Sequence, residues 1–211
     1  MAYVAVYANL LRGQRDMDAL FRDHGPEIRQ AVNEAGRLGY SYAQKVITKD
    51  LNFPAGYLTS GRRLTFREAR TSTDSAIISA RKRPTSLAQF VQGHPGFGQR
   101  GGVAVKVLRG RHRHLDKAFL MRVKAGKSSL NNVGVFMREE AYNRLPNRWK
   151  GSNSPGERPT RIRASKHVWD GIVGLYGPSV DQAFSTHLDD IWLEAGWDMK
   201  DRIGKILTGE G

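Results

Sequence analysis

No cysteine occurs in this chain of 211 residues. That excludes disulfides, thiolate zinc sites and cysteine nucleophiles, so stability must come from packing or assembly. Long apolar runs are missing as well: no stretch approaches the ~18 residues that a membrane-spanning helix needs. The apolar start, Met1-Ala-Tyr-Val-Ala-Val-Tyr-Ala-Asn-Leu-Leu11, lacks both a basic leading region and a small-residue cleavage pattern. The expectation is a soluble chain made in cytoplasm, with no membrane partner. Acidic side chains are scarce in one region, since residues 61–138 hold 17 Lys and Arg against 3 Asp and Glu.

The arrangements that carry catalysis are equally sparse. There is no Gly-x-Ser-x-Gly elbow and no placeable Ser/His/Asp set. Ala125-Gly126-Lys127-Ser128 looks like the end of a phosphate-binding loop, but Met121 stands where the pattern needs its first glycine, so a turn between strands is the better reading. His112 and His114 have a metal-compatible spacing, yet they lie within Arg109-Gly-Arg-His-Arg-His114, where three arginines repel a divalent cation. The acid pairs Glu139-Glu140 and Asp189-Asp190 point about 100° apart on a helix, which does not make a magnesium site. The expectation is a protein without catalytic residues, metal or cofactor.

What the chain does have is segregated charge. The formal total is +14, and residues 61–138 alone balance to +14. Residues 1–60 sum to +1, 139–167 to +4 and 168–211 to −5. One region is therefore suited to a polyanion and the last segment to something basic. Contact with nucleic acid would be to its backbone rather than to its sequence, because base-stacking aromatics are sparse there and Phe66, Phe90, Phe97 and Phe119 read as core. The densest basic clusters are Arg81-Lys82-Arg83 and Arg109–Arg113. If both lay on strands, Arg81 with Arg83, and Arg111 with Arg113, would form a charged stripe. With Arg62, Arg63 and Arg109, these are the candidate residues facing DNA or an acidic partner.

The pattern of elements is α+β. Residues 2–8 read as a short strand, either an arm that pairs with a neighbouring subunit or an edge strand of the chain's own sheet. Pro26 opens a long helix running to about Asp50 with the stripe Ile28, Val32, Ala35, Gly39, Tyr42, Val46. Gly36 and Gly39 on that face imply close approach of another backbone. Then come a hairpin of Arg63–Ala69 and Ser75–Ala80, a glycine-rich loop at 93–102, and strands at Gly102–Leu108, Lys117–Val123 and Val133–Arg138, about five in one antiparallel sheet. Arg109–Arg113 and Lys124–Asn132 read as polar turns, and residues 143–167 as a long loop. Pro178 opens a second long helix, with Val180, Phe184, Leu188, Ile191, Ala195, Met199, Ile203 and Ile206 on one face and acids on the others. The layout is an arm over 1–25 and a single domain over 26–211.

The chain resembles the minor tail protein Z family, the tail completion proteins of tailed bacteriophages. The residues that carry the resemblance are Ala31-Val-Asn-Glu-Ala35, Ala76-Ile-Ile-Ser-Ala-Arg-Lys-Arg-Pro-Thr-Ser-Leu87, Gly102-Val-Ala-Val-Lys-Val107, Asp116-Lys-Ala-Phe119, Asn132-Val-Gly-Val-Phe-Met-Arg138 and, most specifically, Leu175-Tyr-Gly-Pro-Ser-Val180. Their order spans roughly residues 26–208; the first 25 residues and the stretch at 143–167 depart from it. The resemblance implies a structural virion protein at the head-proximal end of the tail, beside the tail terminator, tail tube and head–tail connector. It would form part of a homo-oligomeric ring through which DNA passes, with sixfold symmetry matching a tail tube, after assembly in the host cytoplasm. Rings close by heterologous contacts, which the basic middle and the acidic last helix could supply. Asp181, Asp189, Asp190 and Glu194 are the candidate interface residues. The alternative is a free, non-specific nucleic-acid-binding protein.

Overall fold

The first long helix is α1 (Gly25–Asp50), of 26 residues. The computed structural model describes residues 3–5, 22–93, 95–97, 101–122, 133–150 and 162–208. Pro26 is the second residue of α1, where its missing N–H costs nothing, and Glu27 and Lys49 sit at the ends that suit their charge. The buried stripe is Ile28, Ala31, Val32, Ala35, Gly36, Gly39, Ala43 and Ile47; it follows the expected row as far as Gly39, after which Ala43 and Ile47 are buried and the expected Tyr42 and Val46 are half-buried. The chain as a whole is α+β, with antiparallel sheets and a long helix towards each end of the sequence.

Two compact units divide it. The first comprises Met1–Ile47, Leu58–Arg81 and His187–Gly211; the second comprises Thr48–Tyr57 and Lys82–Thr186.

In the first unit, β1 (Tyr3–Ala5), β2 (Leu64–Arg67) and β3 (Ile77–Ala80) form an antiparallel sheet in the order β1-β3-β2. The expected hairpin is thus present, and Tyr3–Ala5 is an edge strand on the chain's own sheet. Residues 1, 2 and 6–21 of the expected arm lie outside the described residues. Helix α1 packs on this sheet through Gly36, whose missing side chain makes room for others: a Cβ there would lie 2.7 Å from the Phe66 ring and 2.9 Å from the Ala76 methyl. At Gly39 the near neighbour is the Ala195 methyl, at 3.1 Å. The close approach expected at these glycines is real, but side chains make it rather than backbone. Ala195 belongs to the last helix, which buries Ile191, Ala195, Met199 and Ile203.

In the second unit a five-stranded antiparallel sheet runs β4-β10-β8-β7, with β9 also paired to β10. The strands are β4 (Thr85–Ser86), β7 (Ala118–Arg122), β8 (Val133–Arg138), β9 (Arg163–Trp169) and β10 (Ile172–Gly177). Two short strands, β5 (Val103–Val105) and β6 (Arg113–Leu115), pair separately. A single turn of helix at Leu87–Phe90 ties these parts together, because Lys106 N–H donates to the Phe90 carbonyl at 2.8 Å and Gln92 N–H to Ala104 at 2.9 Å. Phe53 stacks on Tyr57 at 5.1 Å and tilts against Phe90 at 5.3 Å, so three aromatic rings centre this core. Gly102 has φ of +82°, and a Cβ there would lie 2.5 Å from the Leu115 carbonyl oxygen; only glycine fits.

Three sequence expectations are corrected. The stretch at 143–167 is not one long loop: the short helix α2 (Glu139–Asn143) enters it, a turn follows at Asn147–Trp149, and β9 begins at Arg163. Strand β6 occupies part of the basic segment read as a turn. The last helix is two helices, α3 (Val180–Thr186) and α4 (Leu188–Thr208), broken at His187. Apolar spacing hides the break, since Phe184, Leu188 and Ile191 remain one helical turn apart across it.

Candidate nucleic-acid interface

The basic residues singled out by the sequence divide between the two units. Arg62, Arg63 and Arg81 belong to the first; Lys82, Arg83, Arg109, Arg111 and Arg113 belong to the second. Arg62 is exposed on the turn Ser60–Arg62, with φ of 53°. Arg63 and Arg81 are half-buried, and the two strand ends are tied by Arg81 N–H donating to the Arg63 carbonyl at 2.8 Å. Arg63 also donates through Nη1 to the Ser60 carbonyl at 2.9 Å. The Arg63 guanidinium is therefore partly committed to the turn before β2, and the Nε atoms of both arginines are buried.

Strand β3 ends at Ala80, so Lys82 and Arg83 lie on an exposed connection. Arg109 and Arg111 flank Gly110 in an exposed turn, where Arg111 N–H donates to the Leu108 carbonyl at 3.3 Å. Arg113 alone lies on a strand, its guanidinium 5.4 Å above the Trp149 ring. The expected stripe of alternate strand residues does not form. Basic residues instead occupy turns, the positions where long cations keep their heads in water at least cost.

Sequence reasoning missed a second basic feature, in the first unit. A cleft of about 820 Å³ lies between the start of α1 and the end of β2, lined by Arg29, Arg37, Arg67 and Arg70 with Glu27 and Glu68. Arg37 pairs with Glu68 at 2.6 Å, Arg67 with Asp74 at 3.1 Å, and Arg29 donates to the Arg70 carbonyl at 3.3 Å. The Arg67 guanidinium and the amides of Arg70 and Ser75 hold the Asp74 carboxyl down to about 2. The cleft floor is fixed by Asn33, which is buried and clamps the Ala69 backbone from both sides: its Nδ2 donates to the carbonyl at 3.2 Å, and Ala69 N–H donates to its Oδ1 at 2.7 Å. Only the exposed Arg67 and Arg70 were visible as part of the basic region, because Arg29 and Arg37 lie 30 or more residues away on a helix.

The acidic candidates also separate. Asp181 opens α3 in the second unit, whereas Asp189, Asp190 and Glu194 are exposed on α4 in the first. Asp190 lies 3.9 Å from His187 across the helix break. Other α4 acids are used within the chain: Asp201 pairs with Lys205 at 2.7 Å, and Asp198 accepts from Arg202 at 2.7 Å. Arg202 also pairs with Glu34 of α1, and the Asp198 hydrogen bond, with Glu34 adding to it, raises its pKa further.

His114 Nε2 lies 2.8 Å from the Gly101 carbonyl and 3.6 Å from Asp116, while His112 is exposed. Among the described residues no three His, Asp or Glu side chains gather as a metal ion would require. No helix among them is long and apolar enough to cross a membrane. The phosphate-loop-like Ala125–Ser128 lies outside the described residues. No protein-family model, curated protein or solved structure matches the chain.

Proposed function

We propose that this chain is a structural component of a phage tail or neck that completes the head-proximal end of the tail as one subunit of a ring traversed by DNA. The observation that carries this reading is the partition of charge between the two units. The second unit holds 20 of the 34 Lys and Arg but 7 of the 20 Asp and Glu, so almost all of the +14 excess resides there. The first unit is close to neutral and ends in a helix with exposed carboxylates. Such a building block can turn one unit to DNA and offer another surface to a neighbour. The reading needs no catalytic residue and no cofactor. It implies tail terminator, tail tube and connector as neighbours and the virion as location. Negative-stain images of particles made without this protein are the test. Accumulation of separate heads and tails is expected; normally joined particles would overturn it.

A free nucleic-acid-binding role is the second reading, favoured by the arginine-lined cleft beside α1. Filter binding of the isolated chain to duplex DNA at two salt concentrations separates the two. Tight, steeply salt-dependent binding by a monomer favours the second reading, and weak binding with strong association to tail components favours the first.

A further inference from the structure

The exposed large apolar side chains among the described residues are Trp192, Leu193, Trp197 and Leu207 on α4, and Phe97 in the second unit. On α4, Leu193, Trp197, Lys200 and Leu207 recur at helical spacing on a face distinct from the buried row of Ile191, Ala195, Met199 and Ile203. Trp197 is 66% exposed and Leu193 55%. Lys200 lies over the Trp197 ring at 5.4 Å, which orders the indole without covering it. Leu193, Trp197 and Leu207 on one helix face, with Trp192 exposed about 100° round the helix from Leu193, are more than scattered surface apolar residues explain, and tryptophan is the side chain most enriched at binding hot spots. Exposed Asp190 and Glu194 run along one edge of this stripe, and Asp189 stands at its N-terminal end.

The other exposed aromatic has the opposite electrostatic setting. Phe97, read from the sequence as core, is instead half exposed; it bridges to Leu120, and the Arg122 guanidinium lies 4.7 Å over its ring. This knob belongs to the unit that holds nearly all the excess positive charge. An acid-edged aromatic stripe and a cationic aromatic knob are matched in both apolar character and charge.

We infer that the α4 stripe of one copy docks on the Phe97–Arg122 knob of a second copy, a heterologous contact that propagates from subunit to subunit. This rests on the reading of the chain as an assembling subunit and names the surfaces through which it assembles. Because stripe and knob differ, a subunit lacking one keeps the other.

Sedimentation of the full chain near 0.15 M salt, unaltered and as the Trp197→Ser and Arg122→Glu variants, tests it. Far-UV circular dichroism checks that each variant is folded; both positions are exposed, so the fold is expected to persist. The unaltered chain should self-associate with rising concentration, and each variant alone should do so about thirtyfold less well or worse. An equimolar mixture of the two variants should yield a heterodimer and nothing larger, since one intact stripe meets one intact knob. Self-association of Arg122→Glu at the unaltered level, a mixture that gives no heterodimer, or an unaltered chain that stays monomeric would each overturn the inference. Particle images without the protein are read independently, so failure here leaves the tail-completion reading to its own test.

Discussion

Asn33 shows how one side chain can fix a backbone it is remote from in sequence. Its amide satisfies both polar groups of Ala69 in a buried setting, so Asn33→Ala leaves a buried N–H and C=O without partners; a loss of about 1–3 kcal/mol in urea unfolding is expected. Asp74 is a different kind of single-residue device, a surface carboxylate held by Arg67 and two backbone amides in the turn between β2 and β3. Its folded pKa of about 2 lies below the ordinary 3.8, so its contribution is fully present above the ordinary value and is lost as pH falls through about 2. Carboxyl NMR titration should place Asp74 near 2, and Arg67→Ala should raise it. In the sequence Asn33 stood out only as a member of the Ala31–Ala35 stretch of α1. Periodicity states which way a side chain points and not what it meets, so the partner at Ala69 was not legible.

Glycine within helices separates two kinds of surface at the level of elements. Gly36→Ala adds a methyl group that collides with Phe66 and Ala76, and the overpacking, about 1–3 kcal/mol, outweighs the gain of up to about 1 kcal/mol in helix propensity. Gly204→Ala on α4 meets nothing within 4 Å, so only the propensity gain remains and thermal unfolding should move upward. The contrast in sign is the measurement. Long helices and the β2–β3 hairpin were legible because each carries a sustained period or a clear turn. Strands of two or three residues such as β4 and β6 are too short to show alternation, and they exist because β10 and β5 offer them a partner. The break at His187 was hidden because the apolar rows of α3 and α4 stay in phase across it. The basic clusters were visible as composition, but their placement on turns depended on where β3 and β6 begin and end.

At the scale of the whole molecule, the partition of charge places exposed cations of the second unit, Lys82, Arg83, Arg109 and Arg111, on turns and connections. On the proposed DNA-facing role, replacing Lys82, Arg83, Arg109 and Arg111 together by Gln should flatten the slope of log affinity for duplex DNA against log salt by about 3.6, since each phosphate contact contributes about 0.9. The same variant should unfold at nearly the unaltered temperature, because all four side chains are exposed. Neither unit is continuous in sequence. The second places β10, near the end of its chain segment, between strands drawn from as far back as Thr85, and the first requires α4 to cover α1. During synthesis, then, the residues that cover Gly36 of α1, Phe66 and Ala76, follow it closely, whereas Ala195, which covers Gly39, comes only with α4, and the sheet of the second unit cannot close until Ile172–Gly177 has emerged. Each unit therefore folds to completion only after a segment distant in sequence from its first element has been made.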